Sequence, residues 1–234
     1  MMNLSRLGVM LDCSRNAVMK PEKVKEFIDI LAKIGYNVLE LYMEDTYKIA
    51  GEPYFGYLRG GYTAQELREI DAYAAAKGVE LIPAIQTLAH FNNLAKLPHY
   101  EDIIDINDIL LVENEKTYAL IDKMFKTLSE TFSSRLVNIG MDEAHLIGLG
   151  KYLDLNGYAD RYELLFNHLG RVAAIADKYG FKLHMWSDMF FRIGNQGKYY
   201  GKDLCISDGL PKRIPHNVEL VYWDYYHTNS EDYE

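Results

Sequence analysis

The segment AKIGYNVLELYMED, residues 32–45, sets the pattern from which the fold is predicted. A lysine precedes a glycine, and the glycine precedes an apolar run that ends in acidic residues. Glycine supplies the left-handed turn that closes a helix, and a lysine in the last helical turn suits the helix dipole. The apolar run is typical of a buried strand in a parallel sheet. The segment therefore predicts a helix end, a tight turn and a strand.

This pattern recurs in AAKGVELIPAI, residues 75–85, and in DKYGFKLHMWSD, residues 177–188. Helical periodicity precedes each copy. Pro21 is placed to begin one helix, and Thr63 with Glu66 forms a capping box at the start of another. Two more helices are predicted by apolar stripes at spacings of three and four, along residues 118–128 and 162–175.

Alternation of strands and helices predicts a parallel sheet, and seven strands favour a (β/α)8 TIM-type barrel over a small doubly wound sheet. No glycine-rich phosphate loop follows the first strand, which weakens a nucleotide-binding interpretation. We predict one catalytic barrel domain, residues 1–234, truncated after the seventh strand and lacking its last strand and helix. The strands are predicted near residues 7–12, 37–43, 79–85, 135–141, 182–187, 203–206 and 218–223.

Composition restricts the class of protein. The chain has 234 residues, of which 49% are hydrophobic, so a large core is possible. A net charge of −9 argues against nucleic acid or an anionic membrane surface as partner. The two cysteines, Cys13 and Cys205, fit a reducing compartment. We see no signal-peptide pattern and no bilayer-spanning stretch, so we expect a cytoplasmic protein.

Two adjacent acids, Asp142 and Glu143, follow the apolar run at residues 136–139. Successive side chains on a strand point to opposite faces, so both reach one pocket only if the strand bends or ends there. Two close carboxylates raise one pKa, which gives the neutral acid and charged stabiliser that glycoside cleavage needs. The alternative interpretation is that one of them caps a following helix.

Other strand ends carry further carboxylates and aromatic rings, with few cations. Because the working residues of a barrel lie at the carboxyl ends of its strands, this rim predicts a neutral or cationic substrate rather than a phosphate. The rim residues are Asp12, Ser14, Arg15, Tyr42, Glu44, Asp45, Gln86, His90, Asn92, Asn138, His145, His184, Trp186, Asp188, Ser207, Asp208, Tyr222, Trp223 and Asp224.

Taken together, six strand-end motifs resemble, in order, the catalytic barrel of family-20 glycoside hydrolases, the β-N-acetylhexosaminidases. The resemblance implies a retaining mechanism in which the 2-acetamido oxygen of the substrate is the nucleophile and an oxazolinium ion is the intermediate. The motifs are GVMLDCSR, ELYMED, LIPAIQTLAH, VNIGMDEAH, LHMWSD and VYWDYY.

The resemblance also implies roles for single residues. Glu143 matches the general acid/base, and Asp142 matches the acid that orients the acetamide and stabilises charge on its nitrogen. Trp186 matches the aromatic wall against the acetamide methyl group, and Tyr222 matches the hydrogen-bond donor to the acetamide oxygen. The remaining substrate-binding candidates are Asp224 as a sugar-hydroxyl acceptor, Asp45 and His90 as supports of the catalytic acid, and Arg15 and Trp223.

Some positions depart from the family pattern. The arginine that usually precedes the first-strand glycine is Leu7 here, so Arg6 or Arg15 replaces it or the contact is lost. Asn138 and Met141 stand where the family usually has histidine and a second glycine. The family's last-strand tryptophan and glutamate would lie beyond residue 234, so we expect this fragment to bind poorly or to be inactive.

The resemblance implies exo-acting hydrolysis of a terminal β-linked GlcNAc or GalNAc. The partner would be an N-acetylhexosamine-terminated oligosaccharide or glycoconjugate, and neither a cofactor nor a metal is expected. Two alternatives stay open at this stage. One is a metal-dependent sugar isomerase, with Asp142, Glu143, His145 and His184 as ligands. The other is a carbohydrate-binding barrel without catalytic activity.

Overall fold

The structure is a computed structural model that describes residues 5–15, 17–195, 197–199 and 209–232. Within these residues, six parallel strands form one sheet, and a two-stranded antiparallel hairpin lies in the loop after the third strand. The strands are β1 (Gly8–Asp12), β2 (Val38–Tyr42), β3 (Glu80–Ala84), β4 (Ile104–Ile106), β5 (Ile109–Leu110), β6 (Leu136–Asn138), β7 (Lys182–Trp186) and β8 (Val218–Val221). The hairpin β4–β5 was not predicted from the sequence.

The helices confirm the predicted starts and stops. Pro21 begins the first helix, and Thr63 and Glu66 form the capping box of the second. Gly35, Gly78 and Gly180 follow three helices with positive φ angles, as glycine at a helix end allows. The helices are α1 (Pro21–Lys33), α2 (Ala64–Ala76), α3 (Glu115–Thr131), α4 (Lys151–Asn156), α5 (Arg161–Lys178) and α6 (Asp188–Arg192).

The order of the strands follows the order of the chain. The sheet runs β1-β2-β3-β6-β7-β8, and every neighbouring pair is parallel. Leu183 of β7 pairs directly with Val218 of β8, so β8 is the sixth of the described strands of the sheet. The strand predicted near residues 203–206 lies outside the described residues.

The sheet has two faces with different surroundings. The large core lies between the outer face and the helices, and it contains Leu39 of β2 and Leu183 of β7. Three side chains of the opposite face form a separate small cluster, namely Val38, Ile82 and Leu136. Side chains alternate between the two faces of a strand. Consecutive β/α units of a barrel therefore produce an outer core beneath the helices and a separate cluster on the inner face. Within the described ranges, no helix is both long and apolar enough to span a bilayer.

Candidate active site

A cavity of about 360 Å³ opens at the carboxyl ends of the strands. This volume lies in the range of roughly 300–1,000 Å³ that small-molecule pockets occupy. Carboxylates, two cations and aromatic rings share its wall. The lining residues are Met10, Asp12, Arg15, Tyr42, His90, Asp142, Glu143, Trp186, Trp223 and Tyr225.

The backbone after β6 explains how two adjacent acids enter one cavity. Gly140, Met141 and Glu143 have φ angles of 68°, 66° and 58°, so the strand alternation ends at Asn138. Non-glycine residues with positive φ are uncommon and cost free energy, which the surrounding contacts must offset. The alternative in which Asp142 or Glu143 caps a helix is wrong, because α4 begins eight residues later with Gly150 at its N-cap.

The imidazole of His90 lies close to the carboxyl groups of both acids. Its Nε2 atom lies 3.1 Å from Oδ2 of Asp142 and 3.8 Å from Oε2 of Glu143. The His90 side chain is only 9% exposed. Although burial alone would lower the pKa of His90, the Asp142 carboxylate raises it above the ordinary value. The pair therefore favours a protonated imidazole beside an ionised carboxylate.

Asp142 is held by a second donor. Nε2 of Gln86 donates to Oδ1 of Asp142 at 2.8 Å and to the Tyr42 hydroxyl at 2.9 Å. Burial alone would raise the pKa of Asp142, but the hydrogen bonds from His90 and Gln86 hold it below its usual value. We predicted that one of the two adjacent acids has a raised pKa, and Asp142 has the opposite shift.

The sequence suggested Asp45 as the supporting acid near His90, but of the two neighbours Glu44 and Asp45 it is Glu44 that lies beside the imidazole. Oε1 of Glu44 lies 4.0 Å from Nδ1 of His90, accepts a hydrogen bond from Tyr42 at 3.2 Å, and is paired with Arg15. Asp45 is buried outside the cavity lining, with Oδ1 2.8 Å from Arg59. Glu44 has a φ angle of 49°, and this left-handed residue exchanges the expected positions of the two acids.

Glu143 points into the cavity from a fixed backbone. Its side chain is 49% exposed, and its N–H donates to Oδ2 of Asp188 at 3.0 Å. Asp188 is fully buried, and burial raises its pKa to about 6. The same Asp188 oxygen accepts from Nε of Arg192 at 2.8 Å, while Nη2 of Arg192 lies 3.4 Å from Oε1 of Glu143.

The aromatic wall differs in part from the one expected. Trp186 and Trp223 line the cavity, as predicted for substrate-binding residues, but Tyr222 does not. Tyr222 is 45% exposed, and its ring packs 5.4 Å from that of Tyr199. The Trp223 ring also packs on Tyr199, at 4.6 Å, so the two neighbours share this contact and only Trp223 of the two lines the cavity. The structure therefore gives no support to a contact between Tyr222 and a sugar in this cavity.

Asp224 is also absent from the lining residues. Its Oδ1 accepts from the N–H of Tyr226 at 2.8 Å, and its Oδ2 lies 2.7 Å from Nδ1 of His227. An aspartate that binds the backbone two residues later closes a local turn. Asp224 therefore closes this turn, and its role as an acceptor for a sugar hydroxyl stays a prediction.

The position of the missing arginine is also resolved. Arg6 pairs with Glu80 at 3.0 Å, and Glu80 is the first residue of β3, at the end of the sheet opposite the cavity. Arg15 lines the cavity, with Nη2 3.4 Å from Nδ1 of His90. Of the two candidates, Arg15 is the one that lines the cavity.

Sequence reasoning missed several residues of this site. Gln86, Glu44 and Asp188 stood at predicted strand ends, and that position was the only signal they carried. No sequence signal singled out Arg192. It reaches Glu143 because α6 begins within two residues of β7 and places Arg192 one helical turn after Asp188.

The sequence matches the profile of the glycosyl hydrolase family 20 catalytic domain over residues 6–229. This chain belongs to glycosyl hydrolase family 20. Over 88% of its length, this chain is 26% identical to a Bos taurus protein named hexosaminidase D. Over 93% of its length, it is 24% identical to a probable β-hexosaminidase of Arthroderma benhamiae. The matched part of this chain spans 60% of the length of the Bos taurus protein and 38% of the length of the Arthroderma benhamiae protein.

Solved structures show the same fold. A family 20 exo-β-N-acetylglucosaminidase of Vibrio harveyi, solved with N-acetylglucosamine, superposes with a TM-score of 0.75 at 20% identity. The match covers 95% of this chain and 38% of that one. A Streptomyces plicatus N-acetyl-β-hexosaminidase superposes with a TM-score of 0.71 at 22% identity. That match covers 98% of this chain and 44% of the other. Family 20 catalytic domains are TIM-type barrels, so the predicted fold class is confirmed.

Proposed function

We propose that this protein is a retaining exo-β-N-acetylhexosaminidase that removes a terminal β-linked N-acetylhexosamine from an oligosaccharide or glycoconjugate. The observation that carries this proposal is the meeting of two adjacent carboxyl groups at one imidazole. Asp142 and Glu143 lie 3.1 and 3.8 Å from Nε2 of His90, in a cavity that Trp186 and Trp223 also line. Family membership and the names of the relatives support the same activity.

The first step needs an ionised acid and a proton donor. The acetamide oxygen of the substrate attacks the anomeric carbon, the bond to the leaving oxygen breaks, and the carboxyl proton of Glu143 moves to that oxygen. Positive charge develops on the acetamide nitrogen of the oxazolinium ring. Asp142 is suited to stabilise this charge, because Gln86 and His90 keep its carboxyl ionised and fix its direction.

The second step reverses the proton transfer. The Glu143 carboxylate takes a proton from water, the water oxygen bonds to the anomeric carbon, and the oxazolinium ring opens to regenerate the acetamide. Two displacements at one carbon retain its configuration. Glu143 is suited to this exchange because its side chain is 49% exposed and can meet both the leaving group and solvent.

The rest of the cavity suits a neutral sugar. Two indole rings can cover apolar sugar faces, and Asp12 and Arg15 can bind hydroxyl groups. The metal-dependent isomerase is not favoured. Over the described part of the chain, no three His, Cys, Asp or Glu side chains form a group that could hold a metal ion. His184, one of the imagined ligands, lies 3.6 Å from Glu219 and does not line the cavity.

The decisive experiment compares an aryl glycoside that carries the 2-acetamido group with one that lacks it. We expect the complete enzyme that contains this chain to release nitrophenol from the aryl β-glycoside of GlcNAc or GalNAc, and to release almost none from the aryl β-glucoside, which lacks the acetamide nucleophile. Glu143→Gln should lower turnover by on the order of a hundredfold to ten-thousandfold. Equal cleavage of both glycosides would exclude the substrate-assisted mechanism. Sugar binding without any turnover by the wild type would identify a carbohydrate-binding barrel instead.

A further inference from the structure

Arg192 is anchored at three places beside the catalytic acid. Its Nε donates to Asp188 at 2.8 Å, and its Nη1 donates to the Gly197 carbonyl at 3.0 Å. Its guanidinium carbon lies 5.9 Å from the centre of the Trp223 ring. The side chain is only 16% exposed, so little conformational freedom remains. A guanidinium fixed in this way presents its remaining nitrogen in one direction.

That remaining nitrogen faces Glu143. Nη2 of Arg192 lies 3.4 Å from Oε1 of Glu143. Asp188 holds both partners, because one of its oxygens accepts from the backbone N–H of Glu143 and from Nε of Arg192. The backbone of Glu143 is left-handed, with φ at 58°, and the bond to Asp188 fixes that geometry.

We infer that Arg192 is a positioning residue that, anchored by Asp188, orients the Glu143 carboxyl group and places a positive charge beside it. This inference rests on the proposed function. A cation at this distance attracts the Glu143 carboxylate that the second step needs and holds it in one direction.

Other charged groups face Glu143 as well, so the effect of Arg192 must be separated from theirs. Each of them is present in wild type and in an Arg192 variant, so a difference between the two isolates the guanidinium. These groups are His90 after β3, Asp142 after β6 and Asp188 of α6, with Asp12 and Arg15 after β1 on the same cavity wall.

The experiment measures kcat/KM against pH for the full chain and three variants. In Arg192→Met, the alkaline limb should move up by about one pH unit, because a nearby positive charge is lost. Arg192→Lys keeps the charge and should leave the limb near its wild-type position. Arg213→Met is the matched control, because it removes an exposed bidentate pair with Glu163 at 2.6 and 2.7 Å. It should change neither the limb nor the rate.

A second readout separates positioning from a merely structural role. A phenyl leaving group needs a proton from Glu143, whereas a dinitrophenyl leaving group departs as a stable anion. Arg192→Met should lower kcat/KM for the phenyl glycoside by on the order of tenfold to a hundredfold, and for the dinitrophenyl glycoside much less. If Arg192→Met does not fold, Arg192→Lys should still show an unequal loss, because it lacks two of the three anchors.

The outcomes separate this inference from the proposed function. A wild type that cleaves neither glycoside overturns the proposed function, and the inference falls with it. An active wild type whose Arg192 variants lose equal activity on both glycosides, with an unmoved alkaline limb, overturns the inference alone. An active wild type with the moved limb and the unequal loss supports both.

Discussion

Nε2 of His90 lies 3.1 Å from Oδ2 of Asp142, and this contact joins the loop after β3 to the turn after β6. Both partners are largely buried, with side chains 9% and 16% exposed. The contact raises the pKa of His90 and lowers that of Asp142, against the effect of burial on each. It therefore links the charge state of the site to the stability of the fold.

The first prediction concerns the pH dependence of stability. Because the folded pKa of His90 is raised, its stabilisation is complete below about pH 6.5 and is lost as pH rises through the folded value. His90→Asn should therefore lower the free energy of unfolding by about 3 kcal/mol at pH 5.5, and by much less at pH 9. Denaturant titration at both pH values measures this difference.

His99→Asn provides the control for that prediction. His99 lies 3.8 Å from Glu52, but its side chain is 49% exposed, so this pair should contribute less than about 1 kcal/mol at either pH. An equal loss for His90→Asn at both pH values would mean that the imidazole acts through packing alone.

The second prediction contrasts two aspartates. Asp142→Asn keeps the size of the side chain but removes the charge that would stabilise the oxazolinium ion. It should lower kcat on the order of a hundredfold to a thousandfold. Asp224→Asn should leave KM nearly unchanged, because Asp224 accepts hydrogen bonds within its own turn. A large rise in KM for Asp224→Asn would restore its role as a sugar-hydroxyl acceptor, and steady-state kinetics decide between the two.

The third prediction compares neighbouring aromatic residues. Trp223→Ala should raise KM about tenfold, or roughly 1.4 kcal/mol, because Trp223 lines the cavity and would cover an apolar sugar face. Tyr222→Ala should raise KM much less, because Tyr222 lies outside the lining. The reverse order of the two KM values would show that the acetamide contact belongs to Tyr222.

The fourth prediction concerns the turn that brings the acids together. In Gly140→Ala, the added Cβ would lie 2.1 Å from Oε1 of Gln86, at a φ angle of 68°. Gln86 would have to move away from Asp142. We therefore expect the free energy of unfolding to fall by more than about 1 kcal/mol, and kcat/KM to fall as well. Thermal unfolding and kinetics measured on one preparation test both effects.

Gly170→Ala is the matched control for the turn variant. Gly170 lies within α5, and no heavy atom lies within 4 Å of its added Cβ. Alanine should stabilise this helix by roughly 0.5–1 kcal/mol without changing kcat/KM. If both glycine variants were equally stable and active, the turn at Gly140 would not be what positions Asp142.

Local sequence signals predicted the elements well. The lysine–glycine pattern located the ends of α1, α2 and α5, because a helix stop and a buried strand are both set by neighbouring residues. The pair Asp142 and Glu143 was placed correctly at a strand end for the same reason. The strand count was less secure, because a short apolar run carries no information about which strand it pairs with.

The structure places some of the predicted site residues at the cavity and others away from it. Trp186, Trp223, His90 and Arg15 line the predicted cavity, whereas Asp45, Tyr222 and Asp224 do not. The direction of a side chain just after a strand depends on the local backbone angles, which the sequence pattern does not give. Glu44 shows this most clearly, because its positive φ turns it towards His90 in place of Asp45.

The sequence alone determined the alternating elements, the family and the adjacent acids, since these depend on residue types at short spacing. Tertiary structure decided which side chains share the cavity. Gln86 meets Asp142 across 56 positions, and Arg192 meets Glu143 across 49. Such contacts depend on the register of parallel strands and on left-handed turns, and neither is encoded by a local period of residues.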